Sequence, residues 1–398
     1  MRKGIVAVLL CLAATASRAE FPARAPDSGD SERRQAFKLY DEHKMPEAAA
    51  LLEKVVSRNP DDVAAHEALG VAVLSRADTE GDPEKARADR LYARKELLRA
   101  KELGDNSDLC RILLAGIAET GEAGSLSAKP EADAALQAGE AAYAKGDWQQ
   151  ALAAYSRAWD LEHSWRAALY IGDTYFGMKD MQRAGEWFAK AIEADPNKET
   201  AYRYWGDALM EQGKMKEARA KYIEGIVADP YQATSGAGLR KWLTANKLAL
   251  KKIPITLPPG PSTDKDGKTS ITLDASMFDK PDTGAAWLAY PTARAAWPTD
   301  QFLKQFPQEK TYRHSLAEEA TALTTVVEVY AELMAGKSGK HDASLELLSK
   351  LKKEEMLEPF VLLTHADAGI VQDYASYRDA HRDKLNAFLD QYLVPPAP

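Results

Sequence analysis

The sequence predicts an all-α chain: an array of stacked helical pairs, then a small β-hairpin with its linker, then a separate C-terminal helical domain. Three observations carry this reading. Small and aromatic residues recur at a spacing of 34 through the centre of the chain. Alanine, the strongest helix former, is abundant. A proline-rich stretch at 253–262 parts the recurring region from a helical tail with no such period. With 45% hydrophobic and 28% charged residues, the 398-residue chain has the balance of a folded protein.

The first element is a leader. Met1, Arg2 and Lys3 precede an uncharged stretch from Gly4 to Ala14, and Ser17, Arg18 and Ala19 follow it. A basic start, a short apolar run and small residues before a cut describe a secretory signal peptide over 1–19. The apolar run is shorter than the ~20 residues a bilayer span needs. Leu10 before Cys11 does not resemble a lipoprotein signal, and no second apolar stretch of spanning length follows. The expectation is therefore an exported protein, periplasmic or extracellular, with no integral membrane segment after cleavage. Loss of Arg2, Lys3 and Arg18 takes the formal net charge from −8 to −11. An acidic chain is ill suited to neutralising phosphates, so nucleic acid is not an expected partner. Cys110 alone remains after cleavage, which excludes an internal disulfide.

The repeat follows by counting. Gly172, Tyr175, Ala184, Phe188, Ala191 and Pro196 stand 34 before Gly206, Leu209, Ala218, Tyr222, Gly225 and Pro230. Gly139, Ala142, Ala151, Tyr155 and Ala158 stand 33 before their counterparts. Each unit reads as two antiparallel helices. Small residues let the two axes approach, an aromatic fills the space beside them, and Gly146 and Gly213 occupy the turn. Pro196 and Pro230 end the second helices. Three strong units occupy 132–232. Two degenerate ones lie in 29–118: Ala36, Leu39, Ala48, Leu52, Val55 and Pro60 take the same offsets. Gly70 begins the second, with Ala93, Leu97 and Ala100 arriving after an insertion of 11. Asp82 and Pro83 look like the cap and first residue of a lengthened helix. Residues 107–118 read as one more helix, 119–131 as a linker, and 233–252 as a solvating end helix.

This spacing of small and aromatic residues resembles the tetratricopeptide-repeat family, closely over 132–232 and weakly over about 29–104. The resemblance implies a helical solenoid whose first helices line a concave face. Carried over by position, that face holds Glu140 and Tyr143; Arg166, Leu169, Tyr170, Asp173 and Phe176; and Arg203, Tyr204, Asp207 and Met210. Some members clamp a terminal carboxylate with Lys and Asn. Here Glu140, Asp173 and Asp207 occupy the recurring Asn position, and acids would repel a carboxylate. The expected partner is a protein or peptide segment with basic and apolar side chains, unless the chain's own C-terminal region covers the face.

Residues 253–275 read as the linker, with strand-like composition at Ile253–Leu257 and Thr269–Leu273 around Asp266 and Gly267. The domain at 276–394 resembles no family we recognise. Its helices are expected near 283–296, 298–306, 314–336, 342–356 and 367–393. Trp287, Tyr290 and Trp297 recur at helical spacing and read as core. No nucleophile elbow, phosphate loop, dinucleotide fingerprint or paired-cysteine motif is present, so no catalytic, metal or cofactor site is expected. His314, His341, His365 and His381, with Glu318, Asp367, Asp379 and Asp383 nearby, are the residual candidates for a metal. The chain thus reads as an exported interaction scaffold or adaptor. The alternatives are a repeat arm carrying an enzymatic or metal-binding C-terminal domain, and a self-assembling structural protein. Amino-terminal sequencing of the protein made by its own cell should begin at Glu20.

Overall fold

Glycines and rings that stand apart in the sequence meet face to face in the computed structural model. It describes residues 31–398 apart from 43, 81, 106, 122–125, 233, 264–268, 273–280 and 338–341. The expected leader, the Asp266–Gly267 turn and His341 lie outside the described residues. The helical pairs are α1 (Ser31–Asp41) with α2 (Met45–Arg58), α3 (Val63–Thr79) with α4 (Pro83–Glu102), and α6 (Pro130–Ala144) with α7 (Trp148–Leu161). They continue as α8 (Trp165–Gly177) with α9 (Met181–Ala194) and α10 (Glu199–Glu211) with α11 (Met215–Ala228). Helix α5 (Asp108–Gly116) stands between the degenerate and the strong pairs in the chain, and α12 (Ala237–Ala245) follows them.

A methyl group on Gly139 would lie 2.2 Å from the Tyr155 ring, on Gly172 2.7 Å from the Phe188 ring, and on Gly206 2.5 Å from the Tyr222 ring. No side chain fits there, so the paired axes close to ring thickness. In the lengthened pair a methyl group on Gly70 would meet Leu97 in the same way, at 2.6 Å, which places the insertion of 11 within α3 and α4. Asp82 accepts from the backbone N–H groups of Glu84 and Lys85 and caps α4, with Pro83 in its first turn. Gly146 and Gly213 make their turns at φ 76° and 73°; at the equivalent turn Lys179 takes φ 66°, a cost that glycine avoids.

The chain divides into two units, Met1–Asn197 with Asp207–Gln212, and Lys198–Gly206 with Gly213–Pro398. Within the first, the core of α1–α5 is mostly alanine, leucine and valine. It also buries polar groups. His66 Nδ1 lies 2.6 Å from Glu96. Ser107 Oγ donates to Glu67 at 2.6 Å, and its backbone N–H donates to Asp105 at 2.7 Å. Asp105 Oδ2 is buried with no hydrogen-bond partner among the described residues.

In the second unit, α12 buries Trp242, whose indole N–H donates to the Met215 carbonyl at 2.9 Å. Gly238 of α12 also meets the Tyr222 ring, so α12 stands where a further first helix would. The two-stranded hairpin pairs β1 (Ser262–Thr263) antiparallel with β2 (Thr269–Ser270). Its first strand therefore lies beyond Pro261 and not at Ile253–Leu257, where Pro254, Pro258 and Pro259 withhold ladder donors. Helix α13 (Pro281–Ala296) runs through a π turn at Trp297–Gln301 into α14 (Phe302–Gln305). Helices α15 (Leu316–Met334), α16 (Ala343–Lys353), α17 (Leu357–Thr364) and α18 (Tyr374–Phe388) follow. Helix α17 was not expected: Pro359 falls in its first turn, where a missing N–H costs nothing. Trp287, Tyr290 and Trp297 are buried, as their spacing implies.

The C-terminal helices join the last repeat at the end of α11. Tyr374 donates to the Val227 carbonyl at 2.6 Å and Arg378 to the Ala228 carbonyl at 2.8 Å. These carbonyls have no partner within α11, and a cation there complements the helix dipole. Arg219 of α11 donates to the carbonyls of Val394 and Pro395 and pairs with Asp390.

Burial pushes the Glu67 carboxyl up to about 7, with Asp105 adding repulsion that Ser107 partly offsets. A carboxyl raised in the fold favours its protonated form, so its contribution is complete below the ordinary value of 4.5 and is lost as pH rises to about 7. The loss should amount to about 3 kcal/mol. Chemical denaturation of wild type and Glu67→Gln should show that difference opening between pH 4.5 and 7 and staying constant above.

Candidate functional site

The first helices carry every residue expected on the concave face, but the fold treats them differently. Leu169, Tyr170 and Asp173 are buried at 4%, 9% and 8% exposure, so they support the face from beneath. Tyr155 donates to Glu140 at 2.5 Å, and its ring lies 5.2 Å from that of Tyr170. Burial and then the Glu140 charge push the Tyr155 hydroxyl far up, so it stays a donor at every physiological pH. Glu140 is thus an acceptor held in one orientation by its own repeat.

Tyr143 and Phe176 are half-buried. Tyr143 meets Trp148 edge-on at 4.9 Å, and a methyl group on Gly177 would touch the Trp148 ring at 3.4 Å, so α6, α7 and α8 meet around Trp148. Arg166 donates to the Leu126 carbonyl and lies 5.1 Å from the Trp165 ring, so it tethers the preceding segment. Asp207 and Met210 are half-buried on the part of α10 that belongs to the first unit.

In the second unit, Arg203 is committed to its own repeat. It pairs with Glu199 at 3.2 Å and lies 4.7 Å over the half-buried Tyr204 ring, while Gly238 of α12 packs against its stem. Glu199 is 1% exposed and also accepts from Thr234 at 2.7 Å.

Sequence reasoning missed a second aromatic group. Trp159 of α7 and Trp187 of α9 meet edge-on at 5.6 Å, His163 lies 4.5 Å from Trp159, and Lys190 caps Trp187 at 3.7 Å. These tryptophans stand 28 apart, so aligning repeats at 33 or 34 does not pair them. Only the packing of successive second helices does.

The described C-terminal histidines, His314, His365 and His381, do not converge. His314 is shared between Glu319 at 2.9 Å and Asp367 at 2.7 Å, and both acids pull its pKa up against the opposing effect of burial. His365 contacts Thr364 and the Phe360 ring, His381 the Tyr377 ring. Glu318 lies 3.9 Å from His314 and is held more closely by Arg294 at 3.0 Å and Tyr312 at 2.8 Å. Among the described residues no group of three or more His, Cys, Asp or Glu is arranged to hold a metal ion.

Comparison with known proteins finds the repeat in part of the chain. A model described as a tetratricopeptide repeat matches residues 36–96 and 136–199. The helical pairs within those two stretches are tetratricopeptide repeats. Such repeats are an architecture for protein–protein interaction, and that coarse role follows from them. Among solved structures, the chain is similar to the first tetratricopeptide domain of Spaghetti (RPAP3) bound to the HSP90 peptide SRMEEVD, at 21% identity over 29% of this chain and 94% of that one, TM-score 0.28. It is also similar to the Arabidopsis OM64 tetratricopeptide domain, at 22% identity over 29% and 96%, TM-score 0.27. A thermophilic tetratricopeptide protein of Thermus thermophilus gives 16% identity over 54% and 100%, TM-score 0.26. No curated protein matches. No helix among the described residues is long and apolar enough to cross a membrane.

The Arg203–Glu199 pair yields a prediction. Truncating Arg203 leaves Glu199 buried without its cation, which should cost about 3 kcal/mol in chemical denaturation. Tyr204→Ala, which leaves that pair intact, should cost about 1 kcal/mol or less.

Proposed function

We propose that this chain is an exported interaction scaffold that holds a protein or peptide segment with basic and apolar side chains on the first helices of its tetratricopeptide repeats. The observation that carries this reading is an acid at one recurring first-helix position, Glu140, Asp173 and Asp207, half-buried at Glu140 and Asp207 and enclosed beneath the face at Asp173. Half-buried Tyr143 and Phe176 stand in the same helices as the first two. Aromatics supply contact area at small entropic cost, and fixed acids orient a basic partner and reject an acidic one. Export rests on the pattern of residues 1–19. The committed Arg203 favours this sign of partner, since its charge is already paired with Glu199 within the chain.

A photo-crosslinking residue at position 143, followed by mass spectrometry of the captured segment in the native envelope, tests the proposal. The expected product is a segment with Lys or Arg beside apolar residues, and Phe176→Ala should lower its yield about tenfold. Capture of acidic segments, or a yield indifferent to Phe176→Ala, would sink the idea.

A further inference from the structure

A cleft of about 340 Å³ opens in the C-terminal domain between α15, α16, α17 and α18. The residues that matter on its walls are Lys352, Glu355, Glu358, Tyr377, His381 and Lys384. Its size suits a small ligand or one long side chain.

The backbone departs from its usual course at two places, and both line this cleft. Glu355 takes φ 56°, which a non-glycine residue seldom does. His381 sits in the interior of α18 at φ −140° and ψ 37°, breaking the helix there. The His381 ring lies against the Tyr377 ring, centroids 4.7 Å apart. The Glu355 turn is the left-handed end of α16, closed by the Met356 N–H on the Leu351 carbonyl, whereas the His381 break lies inside a helix, and breaks of that kind cluster at binding sites.

The charges do not balance. Lys384 is taken by Glu355 at 2.6 Å and Lys352 by Glu328 at 2.8 Å. Glu358 is half-buried and makes no hydrogen bond or ion pair among the described residues. It stands in the first turn of α17. The Glu358 carboxylate and the Asp383 carboxylate both bear on the Tyr377 hydroxyl, which burial first and these charges next push up. The unmatched charge of the cleft is negative, and an aromatic pair lies beside it.

We propose that this cleft is a binding site for an organic cation, an alkylammonium or guanidinium group, with Glu358 as its counter-ion and the Tyr377–His381 pair as its aromatic wall. A carboxylate that makes no ion pair, and shares the pull of Lys384 with Glu355 and Asp383, offers one to an incoming cation, and the ring face adds cation–π attraction. Anions are disfavoured, because each lysine in the cleft already holds a carboxylate. The site is independent of the repeat face and would stand if the reading of that face failed.

Isothermal titration calorimetry on the full chain tests the proposal with three probes: agmatine, the blocked tripeptide Ala-Arg-Ala, and acetate. The expected result is saturable 1:1 binding of at least one cation and none of acetate. Agmatine alone identifies a free amine as ligand; the tripeptide alone, or more tightly, identifies a basic side chain of a protein. Glu358→Gln should weaken the cation at least tenfold. Tyr377→Leu, as a second variant, should weaken it several-fold; circular dichroism should match wild type for both. Failure of both cations to bind at millimolar concentration, binding of acetate in their place, or full affinity in a folded Glu358→Gln would overturn it.

Discussion

A ring lying on a glycine closes each strong repeat, and the rest of the array follows from that contact. Tyr155 on Gly139, Phe188 on Gly172 and Tyr222 on Gly206 set how near the two helices of a pair can come. That distance decides which side chains are enclosed and which stay at the surface. It encloses Tyr170 and Asp173 and leaves Tyr143 and Phe176 half-buried. The same contact explains the end of the array. Tyr222 meets Gly238 as well as Gly206, so α12 docks as though another repeat were beginning. Trp242 of the same helix is fully enclosed.

An array of this kind must be ended, because each unit leaves a face for the next. Here the chain ends it with its own C-terminal helices. Tyr374 and Arg378 satisfy the last carbonyls of α11, and Arg219 holds the segment around Asp390–Pro395. Most of these are side-chain-to-backbone bonds, which specify orientation as much as they contribute energy. The domain beyond them is organised by buried charge. Glu318 and Glu319, each 1% exposed, share Arg294 as an ion-pair partner and are hydrogen-bonded by Tyr312, Tyr290 and His314. Removing Arg294 would leave two buried carboxylates without their cation, which is far more costly than never having buried them.

Much of this was legible before any coordinates. The period of 34 named the repeat because glycine and aromatic residues are needed at fixed offsets in every unit, whatever else varies. The insertion of 11 was legible for the same reason, since Leu97 had to find Gly70. The candidate face was legible as positions and not as surfaces. Nothing in the local pattern says that Asp173 is enclosed, that Arg203 is spent on Glu199, or that Tyr155 fixes Glu140. Helix α17 was missed because a proline near a helix start reads as a break when the start itself is unmarked.

By itself the sequence determined what recurs: helix lengths, caps, turn glycines and the small-on-aromatic contacts, because these depend on neighbours a fixed number of residues away. It also determined the sign of the chain's charge and the want of any catalytic motif. Only the tertiary structure decided what lies between distant segments. The tryptophan pair across α7 and α9, the capping of α11 by α18, and the cleft with its unmatched Glu358 all join residues with no sequence relation. Charge pairing in particular is settled there, because a carboxylate becomes a binding group only when the fold has given every nearby cation to another partner.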